Sequence, residues 1–329
     1  LMAAGTVGIW IASGIYLQNM WNHEISQWKS RKIGIIQPNR EVTLDRPKPL
    51  KGYSREYPLE MEMSKTLSQE GAEVIIWPEG HFFGYTYWSS VREAFINQAK
   101  KLGTHLLFYD ATFKEDSGKK TFHNTVFHLS ESGMLESQYD KMILVPFSEY
   151  SPLKGKVFFL DWILGDYLDN LTPGKSSMVF HIEGMNLIPK ICYEPLFPEF
   201  VAESVAGVET GGVIVVQSQN GWFGKSSQPE QHLAATLLRA VENRTPLIHV
   251  INNGPSSVID PAGRIVFKAP KFERGGWVVD MPFHRQINGS FYSNNPGLFI
   301  NCIRTACFLL ILFSIARSQL KGFFQKAKP

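Results

Sequence analysis

MNLIPKICYE, Met185 to Glu194, is a short strand-like run (Met185 to Ile191) that ends in Cys192-Tyr193-Glu194. The same design recurs along the chain. Glu73 to Trp77 (EVIIW) is a β-branched run stopped by Pro78-Glu79-Gly80, and Ile33 to Gln37 (IGIIQ) is stopped by Pro38. Gly212 to Gln217 (GVIVVQ) is apolar almost throughout, the mark of a strand covered on both faces, and Leu247 to Ile251 reads likewise. Helical spacing separates them at 56–69, 90–102 and 228–243; in the last, His232, Leu233, Thr236, Leu237 and Ala240 repeat at three and four. Further strands are expected at 105–109, 142–145 and 277–281. Hairpin pairs are expected at 125–129 with 133–139, and at 257–259 with 264–267 around Asp260-Pro261-Ala262-Gly263. Strands alternating with helices predict a layered α/β domain. No linker-like shift in composition divides it, so residues 30–292 read as one domain.

Composition narrows the function. With 44% apolar residues the 329-residue chain can bury a large core, and a net charge of +3 leaves no footprint for a phosphate backbone. Basic residues are scattered, with no stripe interleaved with aromatics, so nucleic acid is not an expected partner. No glycine-rich phosphate loop, internal repeat or Gly-x-Ser-x-Gly elbow is present. The nine histidines lack metal-ligand spacing, so neither a metal nor a cofactor is expected.

Both ends are apolar. Leu1 to Leu17 carries no charge and stops at Gln18-Asn19; with no basic start it does not fit a signal peptide, and residues 1–18 are expected to be the end of a transmembrane helix. Residues 296–317 form a second apolar segment, with Asn301 and Arg304 near an interface where arginine can snorkel. The basic tail, 318–329, contains Lys321, Lys326 and Lys328 and no acidic residue, so the positive-inside rule makes it cytoplasmic. One span before that tail places the region between the two apolar ends on the outer side of the membrane.

Cys192 is the only cysteine outside the apolar segments, since Cys302 and Cys307 fall in the second. A lone thiol is either an inert buried residue or a working nucleophile. Two charged residues also stand at strand ends: Glu79 after EVIIW and Lys141 before MILV. In layered α/β folds such positions line a shared crevice. A thiol attacking a carbonyl needs a base for its proton and a positive group at the oxyanion, and these residue types supply both. Taken alone, glutamate and lysine read equally as solvated surface residues.

The surrounding motifs decide between these readings. Trp77-Pro78-Glu79, then Tyr139-Asp140-Lys141 with Val145-Pro146-Phe147-Ser148-Glu149-Tyr150, then Ile191-Cys192-Tyr193-Glu194 resemble the three motif blocks of the nitrilase (carbon-nitrogen hydrolase) superfamily. Within it, Leu144 to Phe147 with Pro152-Leu153, Gly221-Trp222-Phe223-Gly224, Gln231-His232 and Asn252 to Ser256 resemble the apolipoprotein N-acyltransferase family, from Ile33 to the end of the chain. That resemblance implies an αββα sandwich flanked by transmembrane helices. It implies Glu79 as general base, Lys141 at the tetrahedral intermediate and Cys192 as nucleophile, with Glu149 holding the lysine. Tyr193 and Glu194 match positions the family needs beside the nucleophile, the Tyr193 amide as an oxyanion donor. Lys141 and the strand-end amides are expected to favour the thiolate.

The implied reaction moves a fatty acyl chain from a phospholipid to Cys192 as a thioester, then to the N-terminal amine of a diacylglyceryl-cysteine apolipoprotein. The implied place is the outer, periplasmic side of a bacterial inner membrane. The aromatic stretches 82–88 and 158–167 read either as lids dipping into the interface or as core. Two departures bear on substrate positioning: Gln219-Asn220-Gly221 replaces the family's Asn-Asp-Ala, and residues 38–70 lack the family's tryptophan. Most of the family's N-terminal membrane helices are also missing, so the chain reads as a fragment. Two other classes stay open: a membrane-tethered amidase or nitrilase that hydrolyses a C–N bond, and a catalytically degenerate binding module. His81 reads as structural rather than catalytic.

Overall fold

Apolar runs buried on both faces at the centre of each sheet fold the chain into two six-stranded sheets stacked face to face, in a computed structural model that describes residues 2–43, 48–116, 119–152, 171–284 and 289–326. The first sheet contains β1 (Lys29–Gln37), β2 (Val74–Ile76), β3 (His105–Asp116), β4 (Lys119–Leu129), β5 (Leu135–Asp140) and β12 (Gly275–Phe283), in the order β12-β1-β2-β3-β4-β5. The second contains β6 (Phe180–Ile182), β7 (Met185–Ile191), β8 (Gly212–Ser218), β9 (Leu247–Ile251), β10 (Ser257–Ile259) and β11 (Ile265–Lys268), in the order β11-β10-β9-β8-β7-β6. β1, β2 and β3 run parallel to one another, as do β7, β8 and β9.

β8 shows why its sequence has no polar alternation. Val213 and Val215 point into the core between the sheets, where they meet Ile33, Ile76, Val126, Leu187 and Ile248. Ile214 and Val216 point the other way, against α4 (Pro198–Ala206) and α5 (Gln228–Asn243), with Val201, Leu233 and Ala240. The first sheet is covered in the same manner by α2 (Leu59–Gln69) and α3 (Ser89–Leu102), which pack Met61, Leu67, Val91 and Phe95 onto Trp77, Phe108 and Phe127. Each such side chain contributes about 1.5–3 kcal/mol by leaving water, so the three apolar layers together fix the αββα order.

Of the strands expected from the sequence, 142–145 is absent. The backbone N–H groups of Met142 and Ile143 donate to the Glu194 carboxylate and that of Val145 to Glu149, so a sheet partner is replaced by side-chain acceptors. The 82–88 stretch is core in part: Phe83 and Tyr85 are buried, and the amides of Phe83, Gly84 and Tyr85 all donate to the buried Asp110 carboxylate. Trp88 remains 41% exposed. The other proposed lid, 158–167, lies outside the described residues.

Among the described residues one helix is long and apolar enough to cross a membrane, Leu298–Arg317, within α7 (Leu298–Lys326). The N-terminal helix α1 (Met2–Ser26) stands exposed along residues 5–20 but does not reach that threshold. The short α6 (Phe291–Asn294) fastens the start of α7 to α5, with Ser290 donating to the Glu242 carbonyl and Ser293 to Asn243.

Candidate active site

The parallel strands of both sheets end on the same side, and the residues that terminate them meet there. Pro78 ends β2 and Glu79 follows, 6% exposed. Gly80 makes the turn at φ +109, where a Cβ would stand 2.5 Å from Gln219 Nε2. Only glycine fits both the dihedral and the space. The close approach lets the Gln219 amide, just past β8, donate to Glu79 Oε2 at 3.0 Å.

Lys141 follows β5, fixed by its own amide donating to the Asn124 carbonyl at 2.8 Å. Its side chain is 1% exposed, with Nζ 2.8 Å from Glu149 Oε1 and 3.6 Å from Glu79 Oε1. Glu149 is itself held by the Val145 amide at 2.8 Å and by Asn124 Nδ2 at 2.6 Å, and Tyr109 donates to the other end of that Asn124 side chain.

Cys192 comes directly after β7 and has φ +51, a left-handed conformation that a side chain with a Cβ rarely adopts. Its amide donates to the Gln217 carbonyl at 2.9 Å, and His232 Nε2 lies 2.8 Å from the Cys192 carbonyl oxygen. That contact makes Nε2 the protonated nitrogen; burial keeps the imidazole neutral, with a pKa lowered to about 4. The turn thereby aims the thiol at the Glu79 carboxylate, which acts on it through hydrogen bonding and through charge.

The electrostatics follow from burying two carboxylates, one ammonium and one thiol together. Burial pushes Glu79 up to about 6 despite the pull of Lys141, and the charge of Glu149 adds to the rise. Burial opposes the charge on Lys141, but Glu79, Cys192 and Glu149 outweigh it and hold the ammonium above its usual range. Burial and the negative charge of Glu79 raise the Cys192 thiol well above its ordinary value, against Lys141. The sequence-based expectation of a favoured thiolate is therefore corrected: burial, joined by the charges of Glu79 and Glu149, outweighs the one ammonium. The resting pair is a thiol beside a carboxylate.

Glu194 is buried and accepts four hydrogen bonds: Tyr139 Oη at 2.6 Å, Met142 N at 2.7 Å, Ile143 N at 3.2 Å and Ile191 N at 2.7 Å. One side chain thus ties the segment after Lys141 to the residue before Cys192. Tyr193 packs its ring edge-on against Phe197, and its N–H makes no hydrogen bond among the described residues. His81 stands in a buried cluster, its Nδ1 3.5 Å from Glu60, which Arg40 binds at 3.0 Å.

The sequence reading therefore named residues that the fold brings together: Glu79, Lys141, Glu149, Cys192 and Glu194. It missed the parts played by Asn124, Gln219 and His232. Each acts through a neighbour's backbone or side chain; Gln219 and His232 fall within stretches compared with the family, but local sequence does not show which neighbour they reach. No group of three or more histidine, cysteine or acidic residues able to hold a metal occurs among the described residues.

A carbon-nitrogen hydrolase family model matches residues 56–286, the segment that carries this whole arrangement. The chain belongs to the carbon-nitrogen hydrolase family. Similar proteins include an apolipoprotein N-acyltransferase of Geobacter metallireducens, 31% identical over 234 residues, covering 69% of this chain and 43% of that protein. Another is an apolipoprotein N-acyltransferase of Pseudomonas aeruginosa, 30% identical over 287 residues and covering 84% of this chain and 53% of that protein. The chain spans about half the length of the curated relatives it matches. Among solved carbon-nitrogen hydrolase folds, an amidase from Nesterenkonia superposes with a TM-score of 0.56 at 21% identity, covering 78% of this chain and 92% of that one. At that identity the likeness speaks for the fold.

Proposed function

We propose that this chain is the catalytic part of an apolipoprotein N-acyltransferase, with Cys192 as nucleophile, Glu79 as general base and acid, and Lys141 as oxyanion stabiliser. The observation that carries it is the convergence of thiol, carboxylate and ammonium at one set of strand ends. As Cys192 Sγ attacks the ester carbonyl of a phospholipid, its proton passes to Glu79. The oxyanion that forms is met by Lys141 Nζ and the Tyr193 N–H. Collapse expels the lysolipid oxygen, which takes the proton back from Glu79, and leaves a thioester on Cys192.

In the second half the α-amine of a diacylglyceryl-cysteine peptide attacks the thioester and gives a proton to Glu79. The C–S bond breaks, and Cys192 recovers its proton from Glu79. Glu149 holds Lys141 in place throughout. A carboxylate with a pKa near 6 suits a group that must both take and give a proton near neutrality.

Several features support a lipid donor. The loops that carry the site expose large aromatics: Phe147 is 59% exposed beside Glu149, and Trp222 and Phe223 are 55% and 54% exposed beyond Gln219. Such a rim suits contact with lipid rather than water. The apolar helix Leu298–Arg317 would keep the domain at a bilayer, on the periplasmic face of a bacterial inner membrane. The relatives that share this catalytic segment are named for N-acylation of apolipoproteins.

The test is to supply the protein in detergent or nanodiscs with a phospholipid and a synthetic diacylglyceryl-cysteine peptide. The expected product is the N-acyl peptide and a lysophospholipid. Release of free fatty acid with no amide would mean that water, not the peptide, takes the acyl group, and would reject the transferase.

A further inference from the structure

Lys190 is a buried charge that the chemistry above leaves unused. It stands two residues before Cys192, on β7 opposite Val216 of β8, and is fully buried. Among the described residues its Nζ has no hydrogen-bond partner. Instead it lies over two aromatic rings, 4.4 Å from the centroid of Phe200 on α4 and 5.1 Å from that of Tyr139 on β5. An ammonium so placed is expensive to desolvate, and the ring faces recover part of the cost.

The Tyr139 ring and the charge that supports the ammonium lead to the same carboxylate. Tyr139 donates its hydroxyl to Glu194 at 2.6 Å, and Glu194 is the group whose charge acts on Lys190 and supports its proton. Glu194 also gathers the amides of Met142 and Ile143, just past Lys141, and of Ile191, just before Cys192. The other charged groups nearby are differently engaged. Glu199 and Glu203 on α4 are exposed, and Arg239 on α5 donates to the Pro195 carbonyl and pairs with Glu242.

We propose that Lys190 is a positioning residue: its buried ammonium, through Tyr139 and Glu194, holds the Lys141 segment and the Cys192 turn in register for acyl transfer. A positive charge at the ring face makes the Tyr139 hydroxyl a better donor and balances the buried Glu194 carboxylate. Removing it weakens the brace at both ends. Burial also lowers the pKa of Lys190 to about 8, with Glu194 opposing the fall, so the brace carries its charge at neutral pH and loses it in mildly alkaline solution.

This inference rests on the proposed roles of Cys192 and Lys141, and its test separates the two. Lys190→Met keeps the stem and removes the charge; Tyr139→Phe keeps the ring and removes the donor. Each should slow acyl-adduct formation on Cys192 about tenfold with an unchanged KM for lipid, and the double variant should be no slower than either, as for residues acting as one unit. Wild-type activity should also fall as pH rises past about 8, and this fall should be missing in Lys190→Met. Full activity in Lys190→Met, or losses that multiply in the double variant, would overturn the proposal. Should Lys190→Met fail to fold, Tyr139→Phe decides: a full adduct rate there, or no wild-type fall past about pH 8, would equally overturn it.

Alkylation of Cys192 by iodoacetamide at pH 7, followed on its own peptide, needs no substrate. It should slow in both variants even if no phospholipid adduct forms, an outcome that would sink the proposed function alone. Unchanged alkylation in both variants would sink the role of Lys190.

Discussion

Glu149 holds Lys141 more tightly than Glu79 does, at 2.8 Å against 3.6 Å. The difference separates two duties among the carboxylates around one ammonium. A base locked in a short ion pair is a poor proton acceptor, because the pair favours its charged form. With Lys141 anchored on Glu149, Glu79 stays near the ammonium yet keeps a pKa of about 6.

Glu149→Gln should therefore do more than remove a support. The like charge that helps raise Glu79 disappears, and Lys141 is released towards Glu79. The acid limb of the adduct-formation profile should move below pH 6, with the plateau rate reduced about a hundredfold, in the range typical for a misplaced catalytic group. Stopped acylation assays across pH 4–8 measure both.

The wild-type profile has its own sign. Glu79 must be ionised to take the thiol proton, so adduct formation should rise with pH and reach half its plateau near pH 6. Glu79→Gln removes the base and should cost about 100- to 10,000-fold on the plateau above pH 6, less as pH falls and the wild type loses its own base. A flat profile in the wild type would place the base elsewhere.

Gly80→Ala tests the contact between β2 and β8. The new Cβ would stand 2.5 Å from Gln219 Nε2 on a backbone at φ +109. Stability should fall by about 1–3 kcal/mol, and acylation should fall too, because the Gln219 amide can no longer reach Glu79 Oε2. Chemical denaturation and adduct rates on the same sample check the pair.

Much of this site was legible because it is built from strand ends. EVIIW, MNLIPKI and GVIVVQ announce buried strands, and β7 begins and ends where its apolar run does. The charged or reactive residue beyond Glu79's and Cys192's strands then falls at the crevice by topology. The expected strand at 142–145 failed for a reason no local pattern encodes. Its amides find carboxylates at Glu149 and at Glu194, the latter some fifty residues away. The ionisation of Cys192 is equally hidden from the sequence: it follows first from the burial of the thiol and then from the charges of Glu79 and Glu149 brought near it. β6 is three residues long and α4 nine, too short for their apolar residues to stand out as a period in the sequence.

The aromatic rim yields a prediction about substrate rather than chemistry. Trp222→Ser should slow acylation from phospholipid vesicles several-fold while leaving the rate with a short-chain, monomeric ester donor unchanged, because exposed aromatics act at the lipid surface and not at the reacting carbonyl. An equal loss with both donors would place Trp222 in the catalytic machinery instead.

The most direct measurement is the mass of the Cys192 peptide after incubation with a phospholipid of defined chain length and no acceptor. The account predicts an increment equal to that acyl chain on Cys192, absent in Cys192→Ala and discharged onto a diacylglyceryl-cysteine peptide when it is added. Transfer of the chain to that peptide with Cys192 never modified, or at an undiminished rate in Cys192→Ala, would contradict it.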